Sequence, residues 1–570
     1  MVAPTRHAGM RCRAPCPHFP QPARSKAAAH SPYPPVRDST EETRMSIFTK
    51  PSVTAMSPTS GPSIGGTVVT VNGTQFQDPL NKVASVTFGT NPPVPAQYFT
   101  VVSPTQLTAV APSGTVGQSV PVTVTWNDHT SDASPSPFTF GSSLTIQVMM
   151  TLAGLAPTGA TERPSTETCG DQAQRIFSGI NTQLQDSSLA TAAEWTVRFV
   201  ELTQDRANLA YIAQNTSISP DQPQQYAVCL RGTVAGDIPE DMDVTPPLLP
   251  FAAGGAPPSG APGNISTGAM LAFTEIVNGT TLMPDLTSLI SGQTQAPTVY
   301  VTGHSLGGCM ATTVSLFLAA QTWNPTPSFE VYTFAAPTAG DATFAQWFAD
   351  QFPMATCVWN QYDVVPQAWW NLTGGLAHKP PAPEAAEWFF PGQGGGATLQ
   401  AAVVTLVANI AGKASSSTVA NPYTQPQTQQ QLVLNVNFSG EYQQPQASAI
   451  TTLDDWEDEL GQQHANNTYL GLLGATLLPP LTPTITSLSA NSGTSAGGTS
   501  ITINGSNFTQ DFCGVDFGVV AGVSLAFVNA NQLTVTTPPG VGIVNIMVTT
   551  PFGNSGPPST PAALSQFTYT

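Results

Sequence analysis

The sequence predicts a multidomain protein in which a central α/β domain with a mostly parallel sheet is flanked by two all-β sandwiches. Three observations support this fold class. Two distant segments repeat one another, the region between them alternates strands with helices, and 54 prolines and 48 glycines supply frequent turns. With 570 residues the chain is long enough for three or four domains.

Charged residues are scarce and mostly acidic. Asp, Glu, Lys and Arg make up 9 % of the chain, and the formal net charge is −18. From Met45 onward, 9 basic residues stand against 31 acidic ones. This excess of negative charge opposes binding to nucleic acid or to an anionic membrane surface. The mean hydropathy is −0.01 and no apolar run approaches 18 residues, so no transmembrane anchor is expected.

Residues 1–48 are predicted to be a disordered leader, and they hold seven of the 16 basic residues. A second interpretation makes Met45 the true start of the protein. No apolar segment typical of a secretory signal follows either Met1 or Met45. The localisation therefore stays open between the cytoplasm and export by a non-standard route.

The seven cysteines are widely spread and show no metal-ligand spacing. Free thiols are therefore expected. We expect no metal site and no cofactor.

An internal repeat defines the two outer domains. Residues 51–77 and 483–509 are identical at 13 of 27 positions, and both segments continue with QLT and end on an aromatic strand. Short Thr- and Val-rich strands with Gly, Pro and Asn turns are typical of a β-sandwich. We therefore place sandwiches at 49–141 and 482–570.

Both repeats resemble IPT/TIG domains, which are immunoglobulin-like. The shared motifs are the S-G-x-x-x-G-G-T turn, the strand ending in N-G-[ST]-x-F, and the final F-T-[FY]. The resemblance implies a role as spacer, interaction module or glycan-binding surface. Trp126 is the only tryptophan in either repeat, and we identify no exposed aromatic row, so a spacer is the default interpretation.

The region 145–478 shows the alternation of an α/β domain. Helical spacing occurs at 168–185, 189–202, 266–277 and 309–320, and apolar strands are predicted at 225–230, 298–302, 331–334 and 356–359. A Ser-rich segment at 141–148 and a Pro-rich segment at 477–483 are typical of linkers. The central region is therefore expected to fold without its neighbours.

The motif G-x-S-x-G occurs three times, at Ser63, Ser305 and Ser495. Ser63 and Ser495 lie in the repeat's turn and lead directly into a strand, which predicts a structural role. Only Ser305 follows an apolar strand and opens a helix, as in the nucleophile elbow of serine hydrolases. Ser305 is therefore the candidate nucleophile.

An activated serine requires a base and an acid. Two histidines beyond the elbow, His378 and His464, are candidate bases. His304 lies inside the elbow, and we expect its side chain to point away from the nucleophile. Asp363 follows the strand at 356–359 and is the candidate acid, whereas Asp341 and Asp350 flank a helix and are expected to be capping or solvated acids.

The central region, roughly 160–475, resembles the class 3 lipases, which are α/β hydrolases. Four blocks match that family in order: LRGT at 230–233, VTGHSLGG at 301–308, TFAAPTAGD at 333–341 and NQYDVVP at 360–366. The resemblance implies that Ser305 is the nucleophile, Asp363 the orienting acid and His464 the base. It also implies an oxyanion hole formed by the backbone N–H groups of Thr233 and Leu306.

Four segments of the central region leave alternatives open. A Gly-, Pro- and Gln-rich insertion at about 371–450 separates Asp363 from His464, and the family's histidine before the elbow is missing at 266–268. The Pro/Gly-rich stretch 234–264 is either a lid over an acyl site or a plain surface loop. The stretch 399–410 is either an interfacial helix or a buried one, and its lack of cationic residues favours the buried helix.

These residues predict a serine carboxylic-ester hydrolase acting on lipid or related esters, and phospholipid, feruloyl ester and polyester remain open as substrates. The alternative is a surface or interaction protein in which the sandwiches bind a partner and the hydrolase is vestigial.

Overall fold

The computed structural model describes residues 50–77, 83–126, 129–163, 167–232, 243–253, 255, 257, 262–361, 363–371, 396–416, 420–434, 451–510, 513–556 and 564–570. The predicted leader lies outside these residues. Residues 50–570 form one unit, in which each sandwich contacts the central region.

The N-terminal sandwich consists of short strands around one apolar core. Its strands are β1 (Ser52–Ser57), β2 (Ser60–Pro62), β3 (Val68–Thr74), β4 (Ser85–Phe88), β5 (Val94–Pro95), β6 (Tyr98–Ser103), β7 (Gln106–Val110), β8 (Ser119–Val120), β9 (Val122–Trp126), β10 (His129–Thr130) and β11 (Phe138–Gly141). They form sheets in the orders β1-β3-β7-β6, β10-β9-β4-β5 and β2-β11-β8. Phe76, Phe88 and Phe138 fill the core between the sheets.

A seven-stranded sheet organises the central region, in the order β12-β13-β14-β17-β18-β19-β20. Its strands are β12 (Trp195–Leu202), β13 (Leu209–Asn215), β14 (Gln225–Leu230), β17 (Thr298–His304), β18 (Ser328–Phe334), β19 (Thr356–Asn360) and β20 (Gln430–Leu434), and a separate ribbon pairs β15 (Leu249–Pro250) with β16 (Asn264–Ile265). Strands β14 to β20 of the sheet pair in parallel, and β12, β13 and β14 pair antiparallel.

Helices cover both faces of this sheet. They are α1 (Leu144–Leu155), α2 (Cys169–Leu184), α3 (Thr267–Gly279), α4 (Leu282–Ser291), α5 (Leu306–Ala319), α6 (Ala342–Gln351), α7 (Gly396–Lys413), α8 (Leu453–His464) and α9 (Asn466–Leu472), with a 3₁₀ turn at Val365–Gln367. Val299 and Val301 of β17 pack on the side of α3 to α6, whereas Tyr300 faces α1, α2 and α9. This alternation is what a strand buried on both faces requires.

The structure differs from the sequence prediction at two segments. The predicted helix at 189–202 is a turn followed by strand β12, because the aromatic and β-branched residues of WTVRFVEL pair with β13 over their whole length. The predicted linker at 141–148 contains the start of α1, an apolar helix that buries Met149 and Met150 against the sheet.

Part of the predicted insertion also belongs to the hydrolase. Strand β20 is the seventh strand of the sheet, and α7 packs Val403 and Val407 into a cluster that contains Trp456 of α8. The helix predicted at 399–410 therefore buries one face, while Val404 on another face is exposed. Residues 372–395 and 435–450 of the insertion lie outside the described residues.

The C-terminal sandwich repeats the N-terminal one. Its strands are β21 (Thr484–Leu488), β22 (Ser492–Gly493), β23 (Ser500–Ser506), β24 (Gly514–Phe517), β25 (Val520–Ala521), β26 (Val523–Asn529), β27 (Gln532–Thr536), β28 (Gly542–Thr550), β29 (Gly553–Asn554) and β30 (Gln566–Tyr569). The sheet β21-β23-β27-β26 has the same order as β1-β3-β7-β6. Both copies also share a register shift. It follows Val53 where β1 pairs with β3, and it follows Ile485 where β21 pairs with β23.

Both sandwiches contact the hydrolase. The Val433 N–H donates to the Gly66 carbonyl at 2.7 Å, so a turn of the N-terminal sandwich covers edge strand β20. Arg163 donates to the Asp516 carboxylate at 3.1 Å, and Arg175 donates to the Thr550 carbonyl at 3.3 Å. These contacts join both sandwiches to the central region.

Candidate active site

Ser305 occupies a sharp turn between β17 and α5. Its backbone lies at φ 60° and ψ −131°, a conformation that costs a non-glycine residue free energy and that the surrounding structure must enforce. The flanking glycines permit the turn: a Cβ at Gly303 would lie 2.2 Å from the Gly307 carbonyl oxygen, and a Cβ at Gly307 would lie 2.2 Å from the Leu230 carbonyl oxygen. This is the geometry of a nucleophile elbow.

The structure brings Ser305, His464 and Asp363 into one chain of hydrogen bonds. His464 Nε2 lies 2.8 Å from Ser305 Oγ, and His464 Nδ1 lies 2.8 Å from Asp363 Oδ2. Asp363 is buried and follows β19, while His464 ends α8. Because β17 and β19 run parallel, Ser305 and Asp363 lie at the same edge of the sheet.

Asp363 has two further donors. The Tyr469 hydroxyl donates to Asp363 Oδ2 at 2.8 Å, and the Val365 N–H donates to Oδ1 at 2.9 Å. The same Tyr469 oxygen accepts from the Asn360 N–H at 2.9 Å. Burial, and then the charge of Asp363, raise the pKa of Tyr469 well above its ordinary value, so the phenol stays protonated and can donate.

A buried amide network holds the end of α8 against the end of β19. The Asn360 side chain donates to the Gln463 carbonyl at 2.9 Å and to Gln463 Oε1 at 2.7 Å, and Gln463 donates to Glu459 Oε1 at 2.6 Å. Burial raises the pKa of Glu459. Because Gln463 directly precedes His464 and Asn360 lies three residues before Asp363, the network fixes His464 relative to Asp363.

His304 packs beside the candidate base. Its ring lies 4.7 Å from the His464 ring and 5.3 Å from the Tyr469 ring, measured between centroids, a contact that the sequence did not predict. Burial and the neighbouring His464 hold the pKa of His304 well below its ordinary value. A neutral imidazole therefore packs beside the candidate base.

The candidate oxyanion hole lies only partly within the described residues. Leu306 is the first residue of α5, where a backbone N–H has no intrahelical acceptor. A Cβ at Gly232 would lie 3.2 Å from Ser305 Cβ and 3.7 Å from the Leu306 nitrogen, so the chain after β14 passes beside Ser305. Thr233, the next residue, lies outside the described residues, as does the second candidate base, His378.

The remaining candidates occupy structural positions. Ser63 Oγ lies 3.2 Å from Ser143 Oγ, and the Ser495 N–H donates to the Thr570 carbonyl, both in sandwich turns. Asp341 caps α6, because its carboxylate accepts from the Phe344 N–H at 2.9 Å. Asp350 lies in the last turn of the same helix.

The stretch 234–264 is anchored at its far end. Ribbon β15–β16 holds Leu249 opposite Ile265, and Phe251 is buried among Phe273, Phe344 and Trp347. Phe251 and its three aromatic neighbours belong to the core, whereas Leu249 is exposed. The positions 233–242, 254, 256 and 258–261 lie outside the described residues, so the choice between lid and loop stays a prediction.

The described residues contain no group of three or more His, Cys, Asp or Glu residues that could hold a metal ion. No helix among them is long and apolar enough to cross a membrane. The cysteines that the structure describes, Cys169, Cys229, Cys309, Cys357 and Cys513, are all free thiols.

Comparison with known families agrees with the two resemblances. The model of the class 3 lipase family matches residues 237–371, and the IPT/TIG domain model matches residues 51–141 and 483–569. The chain therefore combines a region of class 3 lipase type with two IPT/TIG domains, and this prediction from the sequence is confirmed.

Several solved lipase structures are similar to the chain. M37 lipase is 18 % identical with a TM-score of 0.41, and the match covers 58 % of this chain and 92 % of that one. Lip2 lipase from Yarrowia lipolytica is 19 % identical with a TM-score of 0.28, covering 40 % of this chain and 74 % of that one. A triacylglycerol lipase from Penicillium expansum is 16 % identical with a TM-score of 0.29, covering 42 % and 77 %. No curated protein matches the chain.

Proposed function

We propose that the protein is a serine carboxylic-ester hydrolase that acts on lipid or related esters, with the hydrolase at 145–478 between sandwiches at 49–141 and 482–570. The observation that carries the proposal is the chain of 2.8 Å contacts from Ser305 through His464 to Asp363, built on a strained elbow. The class 3 lipase match at 237–371, which contains Ser305 and Asp363, supports the same reaction.

In the first half of the reaction, Ser305 Oγ attacks the ester carbonyl carbon and His464 Nε2 accepts the hydroxyl proton. Asp363 holds His464 in the tautomer whose Nδ1 carries hydrogen, so Nε2 is free to accept. Asp363 also stabilises the imidazolium that forms. The donors Tyr469 and Val365 keep the Asp363 carboxylate in this orientation.

The tetrahedral intermediate carries a negative charge on the former carbonyl oxygen. The Leu306 N–H at the start of α5 is one donor for that oxygen, and the positive end of the helix dipole favours the charge. By resemblance to the family, the Thr233 N–H is the second donor. Such donors stabilise the transition state more than the ester, and so they increase the rate.

In the second half, the C–O bond to the alcohol breaks and His464 gives its proton to the leaving oxygen. The acyl group then stays on Ser305. A water molecule attacks this acyl-enzyme while His464 accepts its proton, and the fatty or other carboxylic acid leaves as the Ser305–acyl bond breaks and Oγ regains the proton. The products are one alcohol and one carboxylic acid.

Turnover of p-nitrophenyl esters by the purified protein tests the reaction, and the three G-x-S-x-G serines supply matched variants. Ser305→Ala should lower kcat/KM by on the order of 10⁴–10⁶, as loss of a nucleophile does. Ser63→Ala and Ser495→Ala should leave it unchanged, because both serines lie in sandwich turns.

Labelling with a fluorophosphonate provides an independent readout. The probe should attach to Ser305 alone. Attachment at Ser63 or Ser495 would reject the assigned nucleophile, and a wild-type protein that hydrolyses no ester would favour the alternative of a binding protein.

A further inference from the structure

We propose that one turn of the N-terminal sandwich is a positioning element of the candidate active site. This turn, the clamp turn, consists of residues 64–68 and contacts edge strand β20 of the hydrolase. By holding β20 it fixes the end of β19, from which Asp363 follows. The inference rests on the proposed function, because Asp363 is the acid of the proposed triad.

The clamp turn supplies a hydrogen-bond acceptor at the outer edge of β20. Strand β20 is the outermost strand of the seven-stranded sheet that the structure describes, so its backbone pairs with that sheet on one side. On the other side the Val433 N–H donates to the Gly66 carbonyl at 2.7 Å, and Thr67 forms an antiparallel bridge with Leu432. Such pairing restrains an edge strand that would otherwise open more readily.

Two aliphatic side chains of the clamp turn pack on opposite faces of β20. Leu432 and Leu434 point to one face and Val433 to the other, because side chains alternate along a strand. Ile64 packs against the core cluster that contains both leucines. Val68 is buried in a smaller cluster with Val433. The clamp turn therefore holds β20 at its edge and on both faces.

Strand β20 in turn fixes the end of β19. Leu434 pairs with Asn360, and the Leu434 carbonyl accepts from the Gln361 N–H at 2.9 Å. The Asp363 N–H donates to the Asn360 carbonyl at 3.1 Å. Trp359 of β19 also contacts the clamp turn through the cluster that it shares with Val68 and Val433. A displacement of β20 therefore shifts the backbone that carries the candidate acid.

The other face of β20 leads to Asp363 by a separate contact. The core cluster against which Ile64 packs also contains Tyr469. The Tyr469 hydroxyl donates to Asp363 Oδ2 at 2.8 Å. Loosening of β20 would therefore disturb both the backbone before Asp363 and the packing of one of its donors.

The second sandwich shows that the repeat folds without these aliphatic residues. At the positions of Ile64 and Val68 the C-terminal copy has Ala496 and Ser500, and both are exposed. Its sheet β21-β23-β27-β26 nevertheless has the same order as β1-β3-β7-β6. We therefore assign Ile64 and Val68 to the contact with the hydrolase.

Gly66 and Gly498 are a matched pair of positions. They occupy the same place in the repeat, at φ +85° and +84°, so a side chain at either position is strained to a similar extent. A Cβ at Gly66 would lie 3.0 Å from the Val433 carbonyl oxygen and 3.4 Å from Leu434 Cδ2. A Cβ at Gly498 would meet none of the described residues within 4 Å, apart from its neighbours in the chain. Alanine at Gly66 therefore presses on β20, and alanine at Gly498 does not.

Turnover of a soluble p-nitrophenyl ester by the full chain tests the proposal. The double variant Ile64→Ala, Val68→Ser installs the residues of the C-terminal copy. Its kcat should fall about tenfold while KM stays within about twofold, because a misplaced acid slows acylation and deacylation and leaves ester binding unchanged. Gly66→Ala should also lower kcat, whereas Gly498→Ala should not. Ile64→Val keeps the aliphatic contact and should retain the parent kcat.

Hydrogen–deuterium exchange provides a readout that does not depend on activity. In the double variant, the backbone amides of Gln430–Leu434 and of Gln361 should exchange at least about fivefold faster than in the parent, because β20 opens more often. Gly498→Ala should show the parent rates at these amides. If the double variant fails to fold, Gly66→Ala and Gly498→Ala decide the question.

The proposal is wrong if the folded double variant keeps the parent kcat, or if Gly66→Ala and Gly498→Ala lower kcat equally. A double variant that aggregates with an unchanged kcat would reject it too, because the turn would then only cover a sheet edge. If the parent hydrolyses no ester and reacts with no fluorophosphonate while the exchange rates still differ, the proposed function fails and the clamp on β20 stands.

Discussion

Substitution of Tyr469 by phenylalanine should lower both the free energy of unfolding and kcat/KM. The contacts of the Tyr469 hydroxyl predict how large each loss is. The buried hydroxyl donates to Asp363 and accepts from the Asn360 N–H, at 2.8 and 2.9 Å. Tyr469→Phe keeps the ring that packs beside His304 and removes only this oxygen.

The magnitude follows from the two hydrogen bonds that are lost. A bond to a carboxylate contributes about 1.5–3 kcal/mol, and a buried N–H left without its acceptor costs about 1–3 kcal/mol. We expect a loss of roughly 3 kcal/mol in the free energy of unfolding. Asp363 retains Val365 and His464 as partners, so kcat/KM should fall only about tenfold, far less than after loss of a triad member.

The assay combines urea denaturation with turnover of a soluble p-nitrophenyl ester. Tyr332→Phe is the matched control, because its hydroxyl makes one exposed hydrogen bond to Glu330 at 3.2 Å. That variant should change the free energy of unfolding by less than about 0.5 kcal/mol, as surface substitutions do. If Tyr469→Phe were as stable as Tyr332→Phe, the inferred support of Asp363 by Tyr469 would be refuted.

Three other perturbations probe the base, a buried carboxyl and the sandwiches. His464→Ala should nearly abolish turnover and His378→Ala should cost less than about tenfold; the reverse result would make His378 the base. Burial, and then the neighbouring Asp285, raise the pKa of Glu201 from the 4.5 of an exposed glutamate to about 7. Between these two pH values the folded state therefore holds a proton that the unfolded chain has released. Stability should therefore fall as pH rises from about 4.5 to about 7, and Glu201→Gln should flatten that decline in thermal unfolding; an unchanged slope contradicts the assignment. The fragment 142–480 should unfold at a lower temperature than the full chain, because Trp359 and Val433 lose their packing against the N-terminal sandwich; an equal Tm would restore the spacer interpretation.

The sequence by itself determined the features that depend on local pattern. A β-branched strand, a Gly-flanked serine and a following helix predict the elbow at Ser305, because strand, turn and helix propensities act over a few residues. Asp363 was found in the same way, as an acid in the loop after a strand. The two sandwiches followed from an internal repeat with its turn glycines, and their matched ranges agree with it.

Only the tertiary structure decided which elements meet. The segment Trp195–Leu202 is a strand because β13 pairs with it. The apolar helix α1 packs against the sheet at a position where the sequence predicts a linker. The packing of His304 on His464 and the network from Asn360 to Gln463 join residues more than 100 positions apart. Such contacts depend on how whole helices and strands pack, which the pattern of neighbouring residues does not specify.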